Sequence, residues 1–217
     1  MSARQLLDDV YDIQLEYVRT FVLEDTPTGE TTLVDTAFER TADELIGTVE
    51  EEFGGIDNLV LTHAGGDHYG GIDAVMEAFD PTLYAAADEQ DLLDAIDHEP
   101  DVYFEHGDVI LDGVEIVQVP GHSPCPSALL LQEEGALISS DVLDGVDRRG
   151  LPEGYLLPPP ETFNWDHKKA ATGVADLLEY DFDAVLVFHG SHVLEDAHGK
   201  LDRFVNFKDH YRQSLLE

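Results

Sequence analysis

Histidines and aspartates recur in this sequence where apolar runs give way to glycine-rich loops. The segments are Thr62-His63-Ala64-Gly65-Gly66-Asp67-His68, Pro120-Gly121-His122-Ser123-Pro124, Ser139-Ser140-Asp141 and Phe188-His189-Gly190. Each follows a run that reads as a buried strand, so the four deliver imidazole and carboxylate donors to one edge of a sheet. Such a mixed donor set suits Zn, Fe or Mn, whereas Ca and Mg prefer shells made wholly of oxygen. An ion of the zinc type lowers the pKa of a bound water to roughly 7 and polarises carbonyls, so the chemistry on offer is hydrolysis.

The elements that must position these donors alternate between strands and helices. Strand-like runs cover Ile13–Val18, Thr20–Leu23 and Thr31–Val34, with a turn-rich Thr26-Pro27-Thr28-Gly29 before the last. A helix follows with Leu45, Ile46, Val49 and Phe53 on one face, closing at Gly54-Gly55. After the short strand Leu59-Val60-Leu61 and the His/Asp loop, Ile72, Val75, Met76 and Phe79 mark a second helix, with Met76 in the core and Pro81 just beyond. A strand at Leu83–Ala86 and a helix around Leu92, Leu93 and Ile96 complete the first half. In the second half, strands near Val109–Leu111 and Val114–Val119 are joined by Asp112-Gly113, and Ala128–Leu131 pairs with Ala136–Ser139 as a hairpin. Gly150–Pro160 reads as an irregular loop, followed by a helix from Trp165 to Glu179, the strand Ala184–Phe188 and a last helix over Gly199–Leu215. No repeat and no low-complexity linker interrupts the chain, so residues 1–217 are expected to form one α/β domain of two sheets packed face to face with helices outside.

Charge narrows the partners. Forty-seven acidic residues against 11 basic ones give a net charge of -36, and the acids are scattered over the whole chain. A surface of that sign offers no basic footprint for nucleic acid or an anionic membrane, which leaves a small molecule as the expected partner. Self-repulsion on this scale is relieved by salt, so the composition points to the salt-rich cytoplasm of a salt-loving organism. No apolar run approaches a membrane span, the N-terminus does not read as a signal peptide, and the single Cys125 suits a reducing compartment.

The order His63, Asp67, His68, Gly70-Gly71, then Gly121-His122-Ser123-Pro124, then Asp141, then His189 resembles the metallo-β-lactamase superfamily, and in particular its glyoxalase II-like metal-dependent hydrolases. The likeness runs from about Ile13 to Arg203 and implies a four-layer αββα sandwich. It implies that His63, His122 and Asp141 serve one metal ion, most simply Zn with Fe or Mn as alternatives. Asp67, His68 and His189 serve a second ion, with Asp141 bridging the two. It gives Asp67 a catalytic role in orienting water and makes Asp35, at the end of Leu33-Val34-Asp35-Thr36, the brace of the metal loop. The sequence departs from the pattern at Gly65, which stands where the family has its second loop histidine, and at Cys125, which replaces a glycine. One or two ions are therefore both open, with His167, His192 and Cys125 as candidates to fill the gap. His98, His106, His198 and His210 read as structural or surface residues.

The resemblance implies a hydrolase acting on a thioester, lactone or other activated ester. The alternative is a metal-binding protein without hydrolytic activity, in which Gly65 marks the loss of turnover. A nuclease of the same superfamily fits less well with the missing histidine and the anionic surface. Pocket walls are expected from Gly145–Phe163, with Tyr155, Phe163 and Trp165 as apolar contacts.

Overall fold

Alternation within the strands of the second half explains how the layers are built. In the computed structural model, which describes residues 2–24, 28–111 and 113–207, Ile116, Leu129, Ala136, Ile138, Ala184 and Leu186 bury against the first sheet. Their neighbours Val117, Ala128, Leu130, Leu137 and Val185 bury on the opposite face, beneath the C-terminal helices. A sheet apolar on both faces needs a layer on each side, and the αββα sandwich supplies them.

The first sheet holds seven strands in sequence order: β1 (Arg4–Leu7), β2 (Val10–Leu15), β3 (Val18–Glu24), β4 (Thr31–Val34), β5 (Asn58–Val60), β6 (Thr82–Ala86) and β7 (Val102–Phe104). Strands β1 to β4 pair antiparallel, and β4 to β7 pair parallel. The parallel strands are joined through α1 (Ala42–Glu52), α2 (Ile72–Phe79) and α3 (Gln90–Ala95). Every residue of β4 and β5 is buried, as expected for parallel strands covered on both faces.

The second sheet is built from β8 (Val109–Ile110), β9 (Val114–Gln118), β10 (Ser127–Leu131) and β11 (Ala136–Ile138). Two short strands, β12 (Asp144–Gly145) and β13 (Leu156–Leu157), form a separate ladder, and β14 (Ala184–Leu186) returns to the sheet beside β11. Helices α4 (His167–Gly173) and α5 (Ala197–Val205) complete the described elements. Strands β9 and β11 both run antiparallel to β10, and β14 runs parallel to β11. The C-terminal ends of β9, β11 and β14 therefore lie at one edge. That edge carries His122, Asp141 and His189.

Several boundaries differ from the sequence expectation. The run Ile13–Val18 is broken by a hairpin turn in which Glu16 has a φ of 57°, so β2 ends at Leu15 and β3 begins at Val18. The short strands β1 and β7 carry no clear apolar alternation and were not expected. The loop Gly150–Pro160 contains β13, and the helix expected from Trp165 to Glu179 is α4 followed by a separate 3-10 turn at Asp176–Glu179. Met76 is half-buried at the edge of the core rather than within it. Part of the Thr26–Gly29 turn, Asp112, His210 and the part of the expected Gly199–Leu215 helix beyond residue 207 lie outside the described residues, and α5 itself ends at Val205. Among the described residues no helix is long and apolar enough to cross a membrane.

Candidate metal centre

Six side chains converge where the sheet edges meet. The candidate ligand atoms of His63, His122 and Asp141 all lie within 4.8 Å of one another, and so do those of Asp67, His68 and His189. Asp141 faces both groups. Its Oδ1 is 3.4 Å from Nε2 of His68 and 3.6 Å from Nε2 of His189, while its Oδ2 is 3.5 Å from Nε2 of His122. Asp67 closes the second group, with Oδ2 at 3.4 Å from Nε2 of His189.

The backbone is bent to achieve this. Ser140 and Asp35 hold φ angles of 50° and 62°, in the left-handed region that non-glycine residues seldom occupy. The first turns Asp141 inward after β11. The second turns the Asp35 carboxylate under the metal loop after β4. Close packing around the loop also needs glycine: a Cβ on Gly70 would fall 2.5 Å from the carbonyl oxygen of Gly66.

Each of three histidines is held by its outer nitrogen, which leaves its inner nitrogen free to act as a donor. Nδ1 of His68 stands 2.7 Å from Oδ2 of Asp35. Nδ1 of His189 donates to the carbonyl oxygen of Tyr17 at 3.1 Å. Nδ1 of His63 is 3.1 Å from the Thr62 hydroxyl, which itself donates to Asp35 at 2.7 Å, and 3.2 Å from the Ser140 hydroxyl. A carboxylate or carbonyl partner on one ring nitrogen fixes the tautomer with the opposite lone pair exposed. His122 differs: its Nδ1 is buried without a hydrogen-bond partner, although the Asn164 side chain lies beside it.

Nε2 of His63, His68 and His189 and Oδ1 of Asp141 are all buried and have no hydrogen-bond partner. Buried polar atoms left unpaired are costly, and these four, divided between the two donor groups, fit bound divalent cations. The electrostatics of His63, Asp141 and Asp67 agree, whereas His68, despite its burial, is held well above the usual histidine range by Asp141 and Asp35, so an ion bound there would displace a proton. Burial, reinforced by the neighbouring charge of His68, holds His63 well below the usual histidine range and so favours its neutral, ligating form. Burial works against ionisation of Asp141, but His68 and its neighbours outweigh it and keep the carboxyl well below the ordinary range. Burial likewise opposes ionisation of Asp67, yet the neighbouring imidazole of His189 brings its carboxyl down to about 2.

Beside the donors lies a cavity of 790 Å³, lined by Tyr17, Phe38, Gly66, Asp67, His122, Asp141, Arg148 and Phe163. Tyr17 and Phe38 pack edge to face at 5.1 Å, and the Arg148 guanidinium sits 5.2 Å from the centre of the Phe163 ring. A family model described as the metallo-beta-lactamase superfamily matches residues 14–189. The chain belongs to the metallo-β-lactamase superfamily.

Relatives within the superfamily are distant. A hydroxyacylglutathione hydrolase of Rhodopseudomonas palustris is 26% identical over 137 residues, covering 62% of this chain and 51% of that protein. An uncharacterised protein of Aquifex aeolicus is 28% identical over 158 residues, covering 64% and 73%. The chain thus spans about half the length of the first of these relatives. Among solved structures, a metallo-β-lactamase from Pontibacter korlensis superposes with a TM-score of 0.72 at 16% identity, covering 95% of this chain and 98% of that one. A protein solved in a di-iron-bound form gives a TM-score of 0.68 at 22% identity, covering 90% and 98%.

Within this superfamily fold the candidates for the missing ligand are all placed elsewhere. Nε2 of His192 is 3.0 Å from Asp12 and its Nδ1 accepts from the Val187 amide. His167 is exposed, 3.1 Å from the Asn164 amide nitrogen. Burial and the nearby Asp88 push the Cys125 thiol up to about 12, and Cys125 faces a different groove with Asp88, His106 and Tyr180. Gly65 leaves no room for a side chain, because a Cβ there would meet Nε2 of His63 at 2.7 Å.

The pocket walls need a similar correction. Phe163 lines the cavity, but Tyr155 lines a separate apolar groove with Leu151 and Phe204, and Trp165 is 62% exposed with Lys169 over its ring. Tyr17 and Phe38 were missed as wall residues, and Arg148 lies within the expected Gly145–Phe163 wall without having been singled out. His98 contacts Asp73, His106 accepts from the Gln118 amide, and His198 bonds to the Leu178 carbonyl, so all three are structural or surface residues as expected.

Proposed function

We propose that this chain is a metal-dependent hydrolase that cleaves a thioester, lactone or other activated ester in a small molecule. The observation that carries this reading is Asp141, whose two carboxylate oxygens face two separate three-donor groups. His63, His122 and Asp141 would hold one ion, and Asp67, His68 and His189, with Asp141 again, a second. A zinc-type ion in such a site supplies Lewis acidity toward a carbonyl oxygen and lowers the pKa of water toward roughly 7.

The protein's own groups do the rest. Asp67 is ionised at neutral pH and stands at the cavity wall, where it accepts a hydrogen bond from the attacking water and fixes its direction. Water adds to the acyl carbon, the bond from that carbon to sulfur or oxygen breaks, and the proton lost by water leaves with the thiol or alcohol. Tyr17, Phe38 and Phe163 give the acyl or leaving group an apolar wall, and Arg148 offers a cation at the same cavity. In a chain with 11 basic residues against 47 acidic ones, a guanidinium at this position favours a substrate with an anionic group. The hydroxyacylglutathione hydrolases among the relatives support an acyl-thiol substrate.

One observation favours a second reading, a metal-binding protein without turnover. With Gly65 at the second loop position, the His63 group has three donors. Three protein donors plus an open position also describe catalytic zinc sites, so the hydrolase reading is preferred. The test is metal analysis followed by a panel of thioesters and lactones, on the wild type and Asp141→Ala. Bound metal with turnover that Asp141→Ala abolishes is expected. Bound metal without turnover on any substrate favours the second reading, and a folded protein that takes up no metal rejects both.

A further inference from the structure

Glu89 is a carboxylate without an assigned task. It stands at the start of α3, its side chain is 0% exposed, and no lysine, arginine or histidine pairs with it among the described residues. A buried carboxylate without a cation is costly, so its hydrogen bonds must be worth keeping. Those bonds reach two segments that are far apart in sequence. Oε1 accepts from the Ala64 amide at 3.4 Å, and Oε2 accepts from the Cys125 amide at 2.6 Å. The Ser123 hydroxyl lies beside the same carboxylate.

Ala64 follows His63 and Cys125 lies three residues after His122. The two histidines hang from different sheets, His63 from β5 and His122 from β9. Besides Glu89, the Ser127 amide ties these segments by donating to the Thr62 carbonyl at 3.0 Å. His122 has only the Asn164 side chain beside its outer nitrogen, without a formed hydrogen bond, so its ring is braced less firmly than those of His63, His68 and His189. What locates it is the turn on which it sits. Glu89 is not the replacement for the absent loop histidine, since both its oxygens point to backbone amides and it joins neither donor group.

We propose that Glu89 is a positioning residue that clamps the metal loop to the Gly121–Pro126 turn, and so sets the separation of His63 and His122 in the donor-poor half of the centre. This rests on the metal reading above. The clamp requires an acceptor at both oxygens. Glu89→Gln keeps the shape but turns an NH2 toward one of the two amides, which breaks one arm of the clamp.

The experiment is a zinc titration of metal-free protein against a chromophoric chelator, for wild type, His122→Ala and Glu89→Gln. The binding event lost in His122→Ala identifies the His63 half. Glu89→Gln is expected to weaken that event by about 10–100-fold, the usual effect of removing a partner that orients ligands, and to leave any other event within about twofold. An unchanged His122-dependent event overturns the proposal, and so does an equal loss at every event, which is what general loosening of the fold would give. If no zinc event depends on His122, the proposal also falls. Wild type that takes up no zinc defeats the metal reading and this inference with it. Zinc uptake that Glu89→Gln leaves intact defeats this inference alone. Should Glu89→Gln fail to fold, amide hydrogen exchange on the wild type decides: the clamp predicts slow exchange at both Ala64 and Cys125, and fast exchange at either one overturns it.

Discussion

Oδ2 of Asp35 stands 2.7 Å from Nδ1 of His68, and the same carboxylate accepts from both the amide and the hydroxyl of Thr62. One buried side chain therefore orients His68 directly and His63 through Thr62. Asp35→Asn leaves an NH2 facing at least one of these donors and frees the rings to turn. Metal affinity is expected to fall by about 10–100-fold while the protein stays folded. Competition with a chelator measures it, and an affinity within twofold of wild type would remove Asp35 from the centre.

Asp35 could be read in the sequence because it ends the apolar run Leu33-Val34 as the family's bracing aspartate does, although the loop it braces lies beyond α1. The same signal, a polar residue straight after a buried strand, exposed His63, Asp141 and His189. Other parts of the site left no such trace. Tyr17 holds His189 through a backbone carbonyl, which no side-chain pattern encodes. Glu89 lies among Asp88 and Asp91 in a chain so acidic that one more carboxylate carries no information. Arg148 sits in a loop whose course is set by the two-residue ladder of β12 with β13, too short to show any periodicity. The strands β1 and β7 escaped for a related reason: they are short and lie at the two rims of the sheet, where Arg4, Gln5 and Tyr103 are exposed, so the continuous apolar run that marks β10 is missing.

Gly65 permits the present arrangement of rings. A Cβ at that position would lie 2.7 Å from Nε2 of His63 and 2.8 Å from Cδ2 of His68. Gly65→Ala must push one ring aside, and the atom nearest the new methyl is a candidate ligand. Zinc binding at the His63 half is expected to weaken by at least about tenfold, of the order of 1.4 kcal/mol. Restoring the family's histidine at this position should fail to raise the metal content unless the loop moves. A gain of one equivalent in Gly65→His, read by elemental analysis, would contradict the packing described here.

The net charge of -36 makes stability depend on ionic strength. From about 0.1 M to about 1 M KCl the screening length falls from about 10 Å to about 3 Å. Repulsion among the scattered acids is then largely removed, and each kcal/mol so recovered raises the midpoint of thermal unfolding by about 2–4 °C. A rising midpoint across that range is expected in calorimetry. A flat or falling one would mean that the acids are already neutralised pairwise.

Asp12 gives a sharper dependence on pH. It is 3% exposed on β2 and contacts Arg4 at 2.7 Å, Arg19 at 3.1 Å and His192 at 3.0 Å. Burial alone would raise its carboxyl, but His192 and Arg4 bring it down to about 2. A carboxyl depressed on folding contributes stability that is fully present above about pH 4 and disappears as the pH falls through about 2. The contribution is about 2 kcal/mol. Urea unfolding should therefore separate wild type from Asp12→Asn at pH 7 and pH 4, and the pH-dependent part of that gap should close near pH 2. A gap that is constant with pH would mean that Asp12 matters for its shape and not its charge.

Arg148 tests the substrate. Its Nη1 lies 2.8 Å from Oδ2 of the fully buried Asp144, its guanidinium sits over Phe163, and it lines the cavity that holds Asp67 and Asp141. Asp144 thus anchors the side chain from behind while the cavity face remains for a ligand. A charge-assisted hydrogen bond to a carboxylate or phosphate is worth about 1.5–3 kcal/mol, or about 10–100-fold in affinity. If this bond forms equally in the bound substrate and at the transition state, Arg148→Ala raises KM by that factor for an anionic thioester and leaves kcat within a few fold. A neutral thioester of the same shape should lose nothing. Equal losses on both substrates would assign Arg148 to holding the loop, and the anionic substrate would have to be abandoned.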